Sequence, residues 1–288
     1  MIKRKTILVT GASQGLGFEI SKRLLVSGYN IGICSKNLSR LNRAYKYLLK
    51  LKKKNQKIFF KNVDLTKQLE VKNFIKSSIN KFGKIHGLIN NAGILGPKGK
   101  FEKLDIKEWK KTIDTNLYAS IYTCLYIVPH FKKNKGGKII QLSGAGALSP
   151  MENFTAYSAS KAAVVRFADT LSEELKKFNI QVNSVAAGAI NTQMIEEIIQ
   201  AGAKNVGNNF YKRIKKQKKN GGISFNNVTE LILYLLKDEA KFLNGKIISP
   251  KWDNWKNWKN NKNLIKNTEA YTLRRFRGRN IGYKKGDN

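Results

Sequence analysis

The sequence is short of cysteine, histidine, acid and long apolar runs. Its two cysteines, Cys34 and Cys124, stand far apart, which excludes a disulfide framework. Its two histidines, His86 and His130, form no Cys/His cluster at metal-ligand spacing, so no metal centre is expected. His86 abuts a predicted strand and His130 lies near a predicted helix end, positions that suit structural or solvated residues. No apolar run approaches the roughly 20 residues that cross a bilayer. The basic start, Met1 to Lys5, precedes an apolar stretch, Thr6 to Val9, far shorter than the roughly 7–15 residues of a secretory signal core. With no lipidation motif either, the reading is a cytoplasmic protein without a membrane partner.

Acid is the scarcest class: 19 Asp+Glu stand against 55 Lys+Arg, a formal charge of +36. Such an excess suits an anionic partner. Yet Lys, Asn and Ile recur along the whole chain, on ordinary helix faces too, and the charge is spread rather than blocked. A compositional bias explains most of it, and nucleic acid is not the expected partner. With 288 residues and 41% hydrophobic content, the chain can fill one large core and carry a modest extension.

What is present is a regular alternation. Short apolar runs fall at Thr6–Thr10, Asn30–Cys34, Ile58–Val63, Gly87–Asn90, Lys138–Ser143, Gln181–Ala186 and Lys246–Ser249. Between them lie helical stripes: Leu38, Leu41, Tyr45 and Leu48; Val71, Phe74, Ile75 and Phe82; Val164, Phe167, Leu171, Leu175 and Phe178. This predicts an α/β fold, a doubly wound, mostly parallel sheet with helices on both faces. Ligands then bind beyond the carboxyl ends of the strands.

The first strand ends in Thr10-Gly11-Ala12-Ser13-Gln14-Gly15-Leu16-Gly17, with a helix predicted from there to about Ser27. Glycines let the chain turn sharply and let main-chain amides approach a pyrophosphate at the helix amino terminus. NAD enzymes place an acid about 20 residues later to bind the ribose 2′-hydroxyl. Here the second strand ends in Cys34-Ser35-Lys36-Asn37, with no carboxylate. Ser35 and Lys36 suit a 2′-phosphate, so NADP(H) is the preferred cofactor, with NAD(H) left open.

Further on come Asn90-Asn91-Ala92-Gly93, Asn116, Ser143 and Tyr157-Ser-Ala-Ser-Lys161. Tyr157 and Lys161 are four apart, on one helix face. A free phenol has a pKa of about 10. A nearby ammonium, with the positive charge of oxidised nicotinamide, favours phenolate and should lower that value, fitting Tyr157 as general acid in reduction and base in oxidation. Ser143 closes a strand where its hydroxyl can bind a developing oxyanion.

Taken together, these motifs resemble the single-domain short-chain dehydrogenase/reductases over about Lys5 to Pro250. The resemblance implies a Rossmann fold and interconversion of a ketone or aldehyde with an alcohol. It implies a catalytic set of Asn116, Ser143, Tyr157 and Lys161, with Asn116 fixing a water that relays protons from Lys161. Lys161 would also hold the nicotinamide ribose. Cofactor contacts would come from Gly11, Ser13, Gln14, Gly15, Leu16 and Gly17, from Ser35 and Lys36, and from Asp64 and Leu65, with Asp64 meeting the adenine amino group. Asn90, Ala92 and Gly93 would steady the central strand and adenine ribose. Tyr157, Lys161, Gly188, Ile190 and Thr192 would complete the nicotinamide end, Thr192 at the carboxamide. A homodimer or homotetramer is expected on the same ground.

The sequence departs from that pattern where Ala187-Gly188 replaces Pro-Gly, and at Gln14, where NADP enzymes often carry Arg or Lys. Asn191 to Asn227 reads as a substrate lid; its Lys212, Arg213, Lys215, Lys216, Lys218 and Lys219 suit either an anionic substrate or plain solvation. Residues 251–288 form a basic, aromatic extension to a 1–250 domain, with Trp252, Trp255, Trp258, Tyr271, Phe276 and Tyr283. Trp spacing of three predicts packing of this arm on its own domain or a neighbouring subunit rather than binding of single-stranded nucleic acid. The rival functional reading is a non-catalytic dinucleotide-sensing or nucleic-acid-binding protein on the same fold. The intact Tyr-x-x-x-Lys motif speaks against it.

Overall fold

A computed structural model describes residues 4–275. The seven apolar runs become β1 (Thr6–Thr10), β2 (Asn30–Ser35), β3 (Ile58–Asn62), β4 (Gly87–Asn90), β5 (Gly137–Ser143), β6 (Ile180–Ala186) and β7 (Ile247–Ile248). Among the described residues they form one sheet in the order β3-β2-β1-β4-β5-β6-β7. Every pairing is parallel. A parallel sheet is covered on both faces, so its strands carry continuous rather than alternating apolar residues; β1 buries all five of its side chains.

The helices α1 (Gly15–Val26), α2 (Leu38–Leu51), α3 (Gln68–Phe82), α4 (Ile106–Ile113), α5 (Ala119–Lys133) and α6 (Thr155–Leu175) connect the strands. Short polar side chains start two of them. Asn37 accepts from the Arg40 amide at 2.8 Å and Asp105 from the Lys107 amide at 2.8 Å, each satisfying an amide that the first turn leaves free. One face of the sheet is covered through Leu24, Leu41 and Leu231. The other is covered through Phe74, Phe131 and Leu175. Leu38, predicted on the α2 stripe, is 50% exposed, whereas Leu41 and Leu48 are buried; it opens the helix and projects past the core.

The chain winds from β1 outward to β3, then crosses back to set β4 on the other side of β1. This reversal opens a crevice at the carboxyl ends of β1 and β4. Both cysteines are free and buried, and burial pushes each thiol up to about 12; these are packing residues. His86 and His130 accept main-chain amides from Thr6 and Ile85, both at 3.0 Å. No group of three metal-ligating side chains occurs among the described residues, and none of their helices is long and apolar enough to cross a membrane.

The segment read from sequence as a lid folds as α7 (Gln193–Val206) and α8 (Asn208–Asn220), followed by α9 (Phe225–Leu235). β7 is shorter than predicted because the Ser249 amide turns to Asp253 Oδ2 at 2.7 Å instead of the sheet. Beyond it the extension, including α10 (Lys262–Asn267), returns onto the domain. Trp255 and Trp258 are buried, Trp255 against Tyr234 of α9 and Trp258 against Tyr271. The Ile247 amide donates to the Tyr271 carbonyl at 2.7 Å, so the extension lies along the outer edge of β7. Trp252 departs from the predicted stripe: it is 76% exposed, with Lys251 over its ring. Phe276, Arg277 and Tyr283 lie outside the described residues.

Burial therefore separates the three tryptophans. Trp258→Ala should lower stability by about 3–5 kcal/mol, and Trp252→Ala should leave it nearly unchanged. Urea melts of both variants check this; equal effects would refute the packing described.

Candidate active site

The crevice is laced shut at its base by side chains from the loops after β1 and β4. Thr10 Oγ1 accepts from the main-chain amides of Asn91 at 3.0 Å and Ala92 at 3.1 Å. Asn91 Nδ2 in return donates to the carbonyls of Thr10 at 3.0 Å and Gly11 at 3.2 Å. Neither Thr10 nor Asn91 was singled out from sequence. The signal was there: a short polar residue at each of two adjacent strand ends.

This lacing sets the glycine loop. Gly11 has φ of +63°, and a Cβ there would lie 2.8 Å from Ala92 Cα; on Gly17 it would lie 2.4 Å from the Gly11 carbonyl oxygen. Side chains at either would push the two loops apart. The α1 amino terminus carries no side-chain cap from Gln14 and no acid in its first turn, leaving its amides and dipole to an anion. The donor set fits a pyrophosphate.

At the ends of β2 and β3 the predicted adenosine residues meet one another. Ser13 Oγ and Ser35 Oγ are 2.9 Å apart. Lys36 Nζ lies 2.7 Å from Asp64 Oδ2, and Thr66 donates to Asp64 Oδ1 from its hydroxyl and its amide. Burial pushes the Asp64 carboxyl up, but the hydrogen bonds from Lys36 and Thr66 outweigh it and hold the group below its ordinary value. Leu65 is buried beside it. Asn90 is buried, and its Oδ1 accepts from Thr123 Oγ1 at 2.8 Å, which ties β4 to α5.

Across the crevice, β5 delivers Ser143 and α6 delivers Tyr157 and Lys161. Lys161 is buried, and its Nζ donates to the Leu142 carbonyl at 2.9 Å. Beside it, Asn116 sits in a single π-helical turn, Asp114–Tyr118, between α4 and α5. Its side chain accepts from the Ile94 amide at 2.8 Å and donates to the Ile94 carbonyl at 2.9 Å and Ser160 Oγ at 2.8 Å. Its amide thus holds the segment after Gly93. A Cβ on Gly93 would lie 3.1 Å from Asn116 Oδ1 and 3.2 Å from Lys161 Nζ, so the three converge.

Tyr157 and Lys161 share a face as expected, and without the charge of a bound nicotinamide the phenol is not lowered. Lys161 Nζ is 6.0 Å from the ring centroid. Burial pushes the Tyr157 phenol up to about 12 and brings the Lys161 ammonium down to about 8. In the protein alone desolvation outweighs the pair's attraction. The Ser143 hydroxyl is buried with no hydrogen-bond partner, an orphaned polar group poised for a ligand oxygen. The sequence reading missed Gly144. A Cβ there would lie 2.2 Å from Tyr157 Oη, so the phenol rests against this glycine, next to Ser143.

The segment after β6 brings apolar side chains up to Tyr157. Phe154, Ile195, Ile198 and Val206 form one buried cluster with Tyr157. Lys212, Arg213, Lys215, Lys216, Lys218 and Lys219 are all exposed, and Lys218 pairs with Glu196 at 2.7 Å. Ile190 is buried. The turn at Gly188 keeps φ of +70° with Ile223 packed against it. Thr192 leans over the glycine loop, its methyl 3.8 Å from where a Gly15 Cβ would stand.

Comparison with known proteins agrees with this geometry. The family model described as short chain dehydrogenase matches residues 5–203. A 3-oxoacyl-acyl-carrier-protein reductase of Chlamydia pneumoniae is 32% identical over 190 residues, 66% of this chain and 75% of that protein. An NAD+-bound xylitol dehydrogenase superposes with a TM-score of 0.78 at 22% identity, over 86% of this chain and 98% of that one. An actinorhodin polyketide ketoreductase solved with NADPH gives 0.77 at 22% identity, over 85% and 95%.

Gly144 has an extended backbone, φ −153°, that alanine adopts freely, so Gly144→Ala should displace the phenol without unfolding the chain. Turnover should fall by about a hundredfold with an unchanged melting temperature. Full activity in that variant would place the phenol elsewhere.

Proposed function

The chain belongs to the short-chain dehydrogenase family, and from that premise we propose that it interconverts a ketone or aldehyde with an alcohol through Tyr157, preferring NADP(H). Oxidoreductase chemistry on CH–OH groups with NAD(P)(H) comes with the family. The observation that carries the finer reading is the convergence of the unpartnered Ser143 hydroxyl, the Tyr157 phenol and the buried Lys161 ammonium opposite the glycine loop.

The glycine loop and Lys161 would hold a nicotinamide cofactor in the crevice, where it would supply or take up the hydride. The residues of the chain do the rest. Ser143 donates its free hydroxyl to the substrate oxygen as charge develops there. Tyr157, a phenol already protonated at neutral pH and held so by burial, gives its proton to that oxygen in reduction and accepts it in oxidation. Lys161, its amine fixed by Leu142, favours phenolate when the proton leaves and would hold the nicotinamide ribose. Asn116 is a positioning residue, keeping the Gly93–Ile94 segment against Lys161.

The NADP(H) preference rests on Ser35, which stands where an acid would repel a 2′-phosphate, and on Lys36, whose side chain is 77% exposed and free to leave Asp64. The substrate is read as a small carbonyl compound whose apolar body packs on Phe154, Ile195 and Ile198. An anionic end on it would reach Arg213, at a cavity of about 240 Å³ also lined by Met151 and Phe210.

Two measurements test this. Tyr157→Phe should lower NADPH-dependent reduction across a panel of carbonyl compounds by about a hundredfold or more while NADPH still quenches tryptophan fluorescence. Near wild-type kcat would sink the mechanism. Ser35→Asp should reverse the cofactor order, binding NADH more tightly than NADPH; tighter NADH binding by the unmodified protein would refute the preference.

A further inference from the structure

The other end of the sheet carries a feature that hydride-transfer chemistry does not use. At the amino ends of β1, β4 and β5 lies a cavity of about 160 Å³. Five of its lining side chains are lysines, Lys5, Lys84, Lys135, Lys138 and Lys241, and one, Asp238, is acidic. Lys138 is the second residue of β5 and only 8% exposed, yet its Nζ has no hydrogen-bond partner. The nearby carboxylate is engaged elsewhere: Asp238 pairs with Lys5 at 3.2 Å and Lys241 at 3.4 Å.

A buried ammonium without a partner is costly. Composition explains lysines in solvent but not one enclosed in a strand. Burial brings Lys138 down to about 8; Asp238 opposes this, and Lys241 and Lys5 add to it. The group is still charged near neutral pH. An anion in the cavity would offset the repulsion among the surrounding lysines, and Lys138 Nζ, enclosed behind the cavity wall, would gain a partner by turning its side chain toward it. The volume admits a tetrahedral oxyanion with a few waters, too little room for a dinucleotide.

We propose that this lysine-lined cavity binds a small oxyanion of the phosphate class, either free or as the phosphoryl group of a small ester. The site is separate from the active site. Lys138 and Ser143 lie at opposite ends of β5, roughly 16 Å apart at about 3.3 Å per residue.

Thermal melts and calorimetry of the full chain, at constant ionic strength with chloride as the balancing anion, test the proposal. Inorganic phosphate and glucose 6-phosphate are the two probes, and the tighter of them tells the free from the esterified source. Either should raise the melting temperature saturably. Lys138→Met should weaken that binding by about tenfold or more and raise the melting temperature without phosphate, because a buried charge is gone. The double variant Lys84→Gln, Lys241→Gln, altered only at the rim, should weaken binding several-fold and keeps the test open if Lys138→Met fails to fold. Phosphate bound at the glycine loop would be indifferent to all three substitutions. A shift that survives them, or no saturable shift in the unmodified protein, overturns the proposal.

Discussion

The hydrogen bond from Lys161 to the Leu142 carbonyl is the contact on which the rest of the site depends. It joins α6 to the last turn of β5 through a buried ammonium, in a place where water cannot substitute. Ser143 and Gly144 follow Leu142 directly, so fixing that carbonyl fixes the unpartnered hydroxyl and the glycine on which the phenol rests. Tyr157 lies one helical turn before Lys161 and is placed by the same bond. Asn116 secures the far side by gripping Ile94 at both its amide and its carbonyl.

The sheet supplies a constraint of the same kind. In parallel strands all carboxyl ends point one way and all amino ends the other, so polar groups gather at two poles while the middle stays dry. At one pole the gathered groups are glycines, hydroxyls and helix amides, suited to binding a dinucleotide. At the other they are lysines around a small cavity. One topology thus separates two electrostatic environments by the length of a strand.

Much of this was legible in the sequence because period and punctuation agree. The strand runs were visible since a doubly covered strand is apolar throughout; β1 and β4 fall where the residues placed them, and β6 begins one residue earlier. The ends failed where a side chain intervened: Asp253 takes the Ser249 amide and cuts β7 short. Tyr157 and Lys161 were legible from their spacing. The direction of the phenol's shift was not, since it depends on how completely both groups are buried. Asp64 and Lys36 were read separately, 28 positions apart, and only the register of β2 with β3 reveals that they meet. Gly144 carries no side chain to read; its role exists only through the phenol beside it.

The arm along β7 has a consequence beyond its own packing. A parallel sheet ends in a strand with open main-chain donors and acceptors, a template on which a foreign strand can add. Here that margin is two residues long, and its Ile247 amide is already taken by Tyr271 of the same chain. Growth of the sheet across this border is therefore blocked from within. A second copy approaching this side meets the arm around Tyr271 rather than the bare strand.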